Sequence, residues 1–263
     1  MAGIMNIIDD LLGFYNATPQ GDIYHDAIMH LLDNLKHIRG ATIYQTADMC
    51  YVSPSTISRL CRRLGCENYS AFKEEILHVL DHYDDYNRIV PSYMVTAQKD
   101  EYDILLDTVE AAVKDLRTVD KHIYEELADV IHDAKLVGLY TYGNESSTVF
   151  LQNVLVVAGQ KVRPHNSRHQ LGDTSQFGRG SVVIFHYPYF QATKHLTDAL
   201  KECKENKATT ILITTHAPAK LAEYCDYFYN FEGRQTIMDN YKRDFFFDMV
   251  VMAYRHKYID GKK

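Results

Sequence analysis

The chain has 263 residues, 46% of them hydrophobic and 24% charged, with a formal net charge of −7. This is ordinary globular composition, with chain enough for one large domain or two modest ones, each able to bury a core. The acidic balance excludes a protein that coats nucleic acid, but it permits a small, locally basic reading surface.

No apolar run is long enough for a membrane span and the N-terminus has no signal-peptide pattern, so a cytoplasmic location without membrane partners is expected. The five cysteines (Cys50, Cys61, Cys66, Cys203, Cys225) are odd in number, scattered and without CxxC spacing. Neither a disulfide framework nor a zinc site is indicated, and no metal or cofactor is expected.

Residues 1–80 read as wholly helical. Ile4, Ile7, Ile8, Leu11 and Leu12 form one amphipathic stripe, and Thr18-Pro19-Gln20-Gly21-Asp22 carries turn chemistry. Ile23, Ala27, Leu31 and Leu35 then repeat at four-residue spacing. Gly40 breaks that pattern, Thr42 is a candidate cap, and Ile43 and Ala47 fall on the buried side of a short helix. Cys50-Tyr51-Val52 makes a turn, with Val52 apolar enough to fill the gap between two helices.

The next stretch, YVSPSTISRLCRRLG, is the most informative in the chain. Ser53 is an N-cap, Pro54 occupies the first helical position, and Ile57, Leu60, Cys61 and Leu64 make one apolar face ended by Gly65. The opposite face carries Ser55, Thr56, Ser58, Arg59, Arg62 and Arg63, with no acidic residue among them. Hydroxyls and guanidinium groups of this kind bond phosphates, and arginine bonds guanine bidentately. Ser53, Ser55, Thr56, Ser58, Arg59, Arg62 and Arg63 are therefore the candidate DNA-binding residues of a helix-turn-helix. Beyond them, Ser70 is a candidate cap for a helix with Phe72, Ile76 and Leu80 on its apolar side.

The run from Ala41 to Leu77 resembles the DNA-binding domain of RpiR-type bacterial transcriptional regulators. The matching residues are Ile43, Ala47, Val52-Ser53, Ser55-Thr56-Ile57, Arg59, Leu64-Gly65, Tyr69 and Phe72-Lys73. The resemblance implies a double-stranded DNA operator as partner.

Residues 81–100 break the periodicity with charge, aromatics and Pro91, which disfavours a helix through Val90; they are read as an interdomain linker. From residue 101 to 263 the pattern changes. Two helical patterns (Tyr102–Leu116 and Ile123–Ile131) lead into alternating strands and helices. The expected strands are Leu136–Thr141, Lys161–Pro164, Ser181–His186, Thr209–Thr214 and Tyr227–Asn230. Ser147–Ala158, Phe190–Asn206 and Ala217–Tyr224 read as helices, with a weaker one near His169–Phe177. The fold class is thus an all-α helix-turn-helix domain followed by an α/β domain with a parallel five-stranded sheet flanked by helices. A last helix, Thr236–Ile259, is apolar over a wide arc through Phe245, Phe246, Phe247, Met249, Val250 and Met252, which suits part of a subunit interface.

Ligands of open α/β sheets bind beyond the carboxyl ends of the strands. Gly143, Asn144, Glu145, Ser146 and Ser147 combine a glycine turn with hydroxyls before a helix start; this is either a phosphate cradle or a plain strand-to-helix turn with a serine cap. It is neither a Walker loop nor a dinucleotide fingerprint. A second loop, His186-Tyr187-Pro188-Tyr189-Phe190-Gln191, follows the third strand.

The order of segments over residues 103–235 resembles a sugar isomerase (SIS) domain, the usual effector domain of RpiR-type regulators. The resemblance implies a phosphosugar effector, with Gly143 and Ser146 or Ser147 as counterparts of the first-loop residues. The second loop departs from the family's Ser-Gly turn: His186 stands near the first serine, Thr193 near the terminal hydroxyl, and Pro188 removes an amide. His186, Tyr187, Gln191 and Thr193 complete the candidate effector residues, with Tyr187 either stacking on a sugar ring or closing the pocket.

Two classes of function follow. One is a cytoplasmic transcriptional regulator, a homodimer or homotetramer whose SIS-like domain either senses a sugar phosphate or only dimerises. The other is a sugar-phosphate isomerase or lyase. Glu145, His186, His195, His216 and Glu223 are titratable and near the loops, but no spacing joins two of them into a base and its orienter. A helix-turn-helix has no role in such an enzyme, so no catalytic residue is assigned.

Overall fold

The computed structural model describes residues 7–82, 88–141, 146–165, 173–188, 193–233 and 238–262. The chain forms two compact units that divide between Asn87 and Arg88.

The first unit is helical: α1 (Ile7–Ala17), α2 (Ile23–Asp33), α3 (Ile43–Met49), α4 (Pro54–Arg63) and α5 (Tyr69–Asp81). Its core joins Leu11, Ile28 and Leu31 of α1 and α2 to Ala47, Ile57, Leu60, Phe72 and Ile76. The four-residue stripe expected from Ile23 to Leu35 is only partly realised. α2 ends at Asp33, Leu35 lies in a 3₁₀ turn, and Ile23 is exposed at the first position of α2. Asp22 caps that helix by accepting from the Tyr24 amide at 2.8 Å. α5 is capped by Asn68, whose side chain accepts from the Ala71 amide at 3.0 Å; Ser70 already lies inside the helix.

The second unit adds α6 (Glu101–Leu116) and α7 (Lys121–His132) to a five-stranded parallel sheet. The strands are β1 (Leu136–Thr141), β2 (Val162–His165), β3 (Ser181–Pro188), β4 (Thr209–Thr215) and β5 (Tyr227–Phe231), in spatial order β2-β1-β3-β4-β5. The helices α8 (Ser146–Val157), α9 (Thr193–Glu205) and α10 (Asp239–Tyr258) flank them. Segment 219–224 is a 3₁₀ helix, and residues 173–177 are not helical; the rest of the weaker helix expected near them lies outside the described residues.

Alternation along the strands sends side chains to two cores. Val137, Leu139, Val182, Ile184, Ile211 and Ile213 meet α7, α8 and α10 through Leu127, Ile131, Leu151, Leu155, Phe246, Phe247 and Val250. Val183, Phe185, Tyr187 and Leu212 meet Leu196, Leu200 and Cys203 of α9, with Phe177 and Leu221. Gly138 has its missing side chain filled by the Phe177 ring: a β-carbon there would lie 2.7 Å from the ring. Among the described residues no helix is long and apolar enough to cross a membrane, and no group of three or more His, Cys, Asp or Glu side chains is placed to hold a metal ion.

Candidate functional site

The helix-turn-helix is built by three local devices. Thr42 and Gln45 form a capping box on α3: the Thr42 hydroxyl accepts from the Gln45 amide at 3.3 Å, and the Gln45 side-chain carbonyl accepts from the Thr42 amide at 2.8 Å. The turn closes through Tyr51, whose φ of +54° lets the Val52 amide reach the Ala47 carbonyl at 3.0 Å. α4 then starts with Ser53 accepting from the Thr56 amide at 3.2 Å and Pro54 at the first position. It stops at Gly65, φ +83°, with the Gly65 and Cys66 amides bonded to Arg62 and Cys61 carbonyls. Val52 is half-buried against the helical core, as the turn requires.

One face of α4 packs Ile57, Leu60 and Cys61 inward, while Ser53, Ser55, Arg59, Arg62 and Arg63 are exposed and Ser58 half-buried. Thr56 corrects the sequence reading. It is only 3% exposed, and its hydroxyl lies 2.9 Å from that of Ser53, so it belongs to the capped, buried first turn and not to the outward face. The arginines also differ. The Arg63 guanidinium sits 4.3 Å over the Tyr24 ring centroid of α2, and the Arg59 Nε donates to the Ser55 carbonyl at 3.3 Å. The outward face of α4 carries no acidic residue, and its hydroxyls precede its cations along the helix.

In the second unit, the carboxyl ends of β1, β3 and β4 bring Thr141, His186 and Thr215 to the α10 side of the sheet, with Thr141 and His186 in direct register. His186 is fully buried. Its ring stacks on Phe247 at 4.7 Å, and its Nε2 lies 3.5 Å from an Asp244 carboxylate oxygen. That oxygen also accepts from Arg243 at 3.0 and 2.8 Å, and Arg243 is itself 1% exposed. Among the described residues, the Thr214 and Thr215 hydroxyls are buried without a hydrogen-bond partner, Thr215 on the α10 side and Thr214, in register with Tyr187, on the other. Beside them His216, at φ +55°, has its Nε2 2.8 Å from Asp239 at the start of α10. The crevice thus collects a buried guanidinium, two imidazoles and the Thr215 hydroxyl where an open sheet takes its ligands.

The expected effector residues divide three ways. His186 is in this crevice. Ser147 is buried at the start of α8. Tyr187 points to the other face, packed with Phe177, Leu196 and Leu200, so it neither stacks on a ligand nor closes the crevice. Gly143, Asn144, Glu145 and Gln191 lie outside the described residues, as do the side chains of Ser146 and Thr193. Glu223 is exposed beside a cavity lined by Thr209, Cys225 and Asp226 at the amino ends of β4 and β5, away from the crevice. Sequence reasoning missed Arg243, Asp244 and Asp239. They sit on α10, more than 20 residues beyond the strand ends they face, in an opening DNYKRD that is polar almost throughout, so no single residue there stood out in the sequence.

No family model matches the chain. It is 25% identical over 194 residues to a Haemophilus influenzae protein described as an uncharacterized HTH-type transcriptional regulator; the match spans 71% of this chain and 66% of that protein. Among solved structures, the Vibrio vulnificus NanR protein complexed with ManNAc-6P is 16% identical, with a TM-score of 0.49, 98% of this chain and 94% of that chain being covered. The sugar isomerase domain of an RpiR transcription factor from Sphaerobacter thermophilus is 14% identical, with a TM-score of 0.48 over 59% of this chain and 89% of that one. By sequence, the chain is a relative of helix-turn-helix transcriptional regulators.

Proposed function

We propose that the chain is a cytoplasmic transcriptional regulator of the RpiR type: it reads a double-stranded operator with α4, and its α/β unit senses a sugar phosphate or related anionic metabolite. The observation that carries this reading is α4 itself, a helix capped at both ends, buried on one side, with Ser53, Ser55, Arg59, Arg62 and Arg63 exposed on the other. Three arginines on one short helix of a net-acidic chain give weak, salt-sensitive affinity alone, so two copies on a two-fold operator are the working form. Ser53 and Ser55 are assigned to phosphates at the helix start, and Arg59 and Arg62 to base edges. Arg63, held over Tyr24, is assigned to the backbone. On the effector side, Ser147, His186 and Thr215 with Arg243 face the ligand, joined by the 143–146 segment, Gln191 and Thr193.

The test is operator binding after selection of a site from random duplexes. Arg59→Ala and Arg62→Ala each cost about 1–3 kcal/mol and relax specificity at one base position, while circular dichroism is unchanged. Unaltered affinity and specificity in both variants overturn the assignment of α4.

One observation favours a second reading. His216 Nε2 lies 2.8 Å from the Asp239 carboxylate at the carboxyl end of β4, an arrangement suited to a general base with its orienter, and aldose–ketose isomerisation needs a base. A turnover assay with aldose and ketose phosphates decides between the readings: activity lost in His216→Ala supports the enzyme, and no turnover supports the sensor.

A further inference from the structure

Among the described residues, three that are not glycine have positive φ: Tyr51, Lys207 and His216. That backbone costs free energy in any residue with a β-carbon. His216 has Asp239 at 2.8 Å to offset the cost, and Lys207 lies in the turn that ends α9. Tyr51 has almost nothing. The turn before α4 needs a left-handed residue, but glycine fills such a place without strain, so the backbone does not account for a tyrosine. Its ring is 81% exposed and meets His30 edge-on at 4.9 Å. Among the described residues its hydroxyl has no hydrogen-bond partner.

The other hydroxyls at the opening of α4 are engaged with one another. Ser53 Oγ lies 2.7 Å from Ser55 Oγ and 2.9 Å from Thr56 Oγ1, and it accepts from the Thr56 amide. Tyr51 stands two residues before Ser53, at most about 7 Å along the chain, on a longer arm. α2 runs along the flank of α4 in the opposite sense, for Tyr24 near its start lies under Arg63 and His30 near its end lies against Tyr51. Tyr51 and Arg63 thus bracket the outward face of α4, one at each end.

We propose that Tyr51 is an operator-contact residue, its phenol hydroxyl donating to a phosphate oxygen of the strand that flanks the groove entered by α4. The proposal rests on the regulator reading. Phosphate oxygens accept from tyrosine as they do from serine and arginine. Packing against His30 narrows the freedom of the ring before DNA arrives, which lowers the ordering cost of the contact. The hydroxyl is neutral, so its bond displaces no counterion, unlike those of the α4 arginines. Stability of the free helical unit is given up for affinity, as expected of strain kept at a working site.

Operator binding by the full chain on a selected duplex, between about 50 and 200 mM salt, is the test. Tyr51→Phe keeps the backbone and the ring. It is expected to weaken binding about tenfold at every salt concentration, with the slope of log K against log salt unchanged. Arg63→Ala, by contrast, flattens that slope by about 1. Tyr51→Gly is expected to weaken binding at least as much while raising the melting temperature. A purely structural tyrosine moves affinity and stability together, or leaves affinity alone. Native affinity in Tyr51→Phe overturns the proposal, as does a loss confined to particular operator bases. A native chain that selects no duplex removes the regulator reading and the proposal together. Binding that Arg59→Ala weakens and Tyr51→Phe does not leaves the reading standing and removes the proposal alone.

Discussion

The Thr46 hydroxyl of α3 lies 2.6 Å from the Tyr69 hydroxyl of α5, and Tyr69 in turn donates to the Ala41 carbonyl at 3.2 Å. The second bond fixes the direction of the first: Thr46 donates and Tyr69 accepts. One phenol therefore ties the helix before the turn, the strand-like lead-in and the helix after the reader into one frame, and Lys73 reinforces it by donating to the same Ala41 carbonyl at 2.9 Å. Because Thr46 is fully buried, Tyr69→Phe leaves its hydroxyl without an acceptor. The expected loss is about 1–2 kcal/mol in the helical unit, read as a lower urea midpoint with an unchanged slope.

Tyr51 occupies a left-handed position that glycine takes without strain. Its ring is 81% exposed and touches His30 only edge-on at 4.9 Å, which offsets little. Tyr51→Gly is expected to stabilise the helical unit by about 0.5–1 kcal/mol, the relief of strain exceeding the added entropy of the unfolded glycine. A thermal melt checks the sign. A lowered melting temperature would mean that the His30 contact outweighs the backbone term.

Gly138 behaves oppositely. Its φ is ordinary, but a methyl group there would meet the Phe177 ring within 2.7–3.2 Å, and that ring is fully buried. Gly138→Ala is expected to cost about 1–3 kcal/mol by overpacking. Combining it with Phe177→Leu should recover part of the loss, a non-additivity that a double-mutant cycle measures.

The thiols make a prediction about pH. Burial pushes Cys50 up to about 11 and Cys61, Cys66 and Cys203 up to about 12, and Cys225 likewise to about 12. At pH 8 all five should react slowly with a thiol reagent in the native chain and fully in denaturant. Folded values above the unfolded ones mean stabilisation that is complete below about pH 8.5 and lost as pH rises toward 12. Urea midpoints should accordingly fall between pH 9 and 11. A fast-reacting native thiol would place at least one cysteine in a different environment.

Much of this was legible in the sequence because local chemistry decided it. Ser53, Pro54 and Gly65 state the bounds of α4 by themselves, and the alternation of apolar runs places β1, β3 and β4 to within two residues. Thr56 was misplaced because a helical wheel assigns faces by angle alone, whereas the first turn folds its own hydroxyl under the cap. Tyr187 was misread for a related reason: the third strand runs two residues further than its apolar run, so Tyr187 keeps the alternation and enters the core. Arg243 and Asp244 stayed hidden because no spacing in the chain relates α10 to the end of β3. Only the folded sheet does.

One of the two edge strands, β2, is four residues long and contains Pro164, in register with Leu139 of β1. Proline has no amide hydrogen to offer, and so short a strand gives few rungs for a neighbour to pair with. That margin of the sheet is therefore a poor template for cross-chain strand addition.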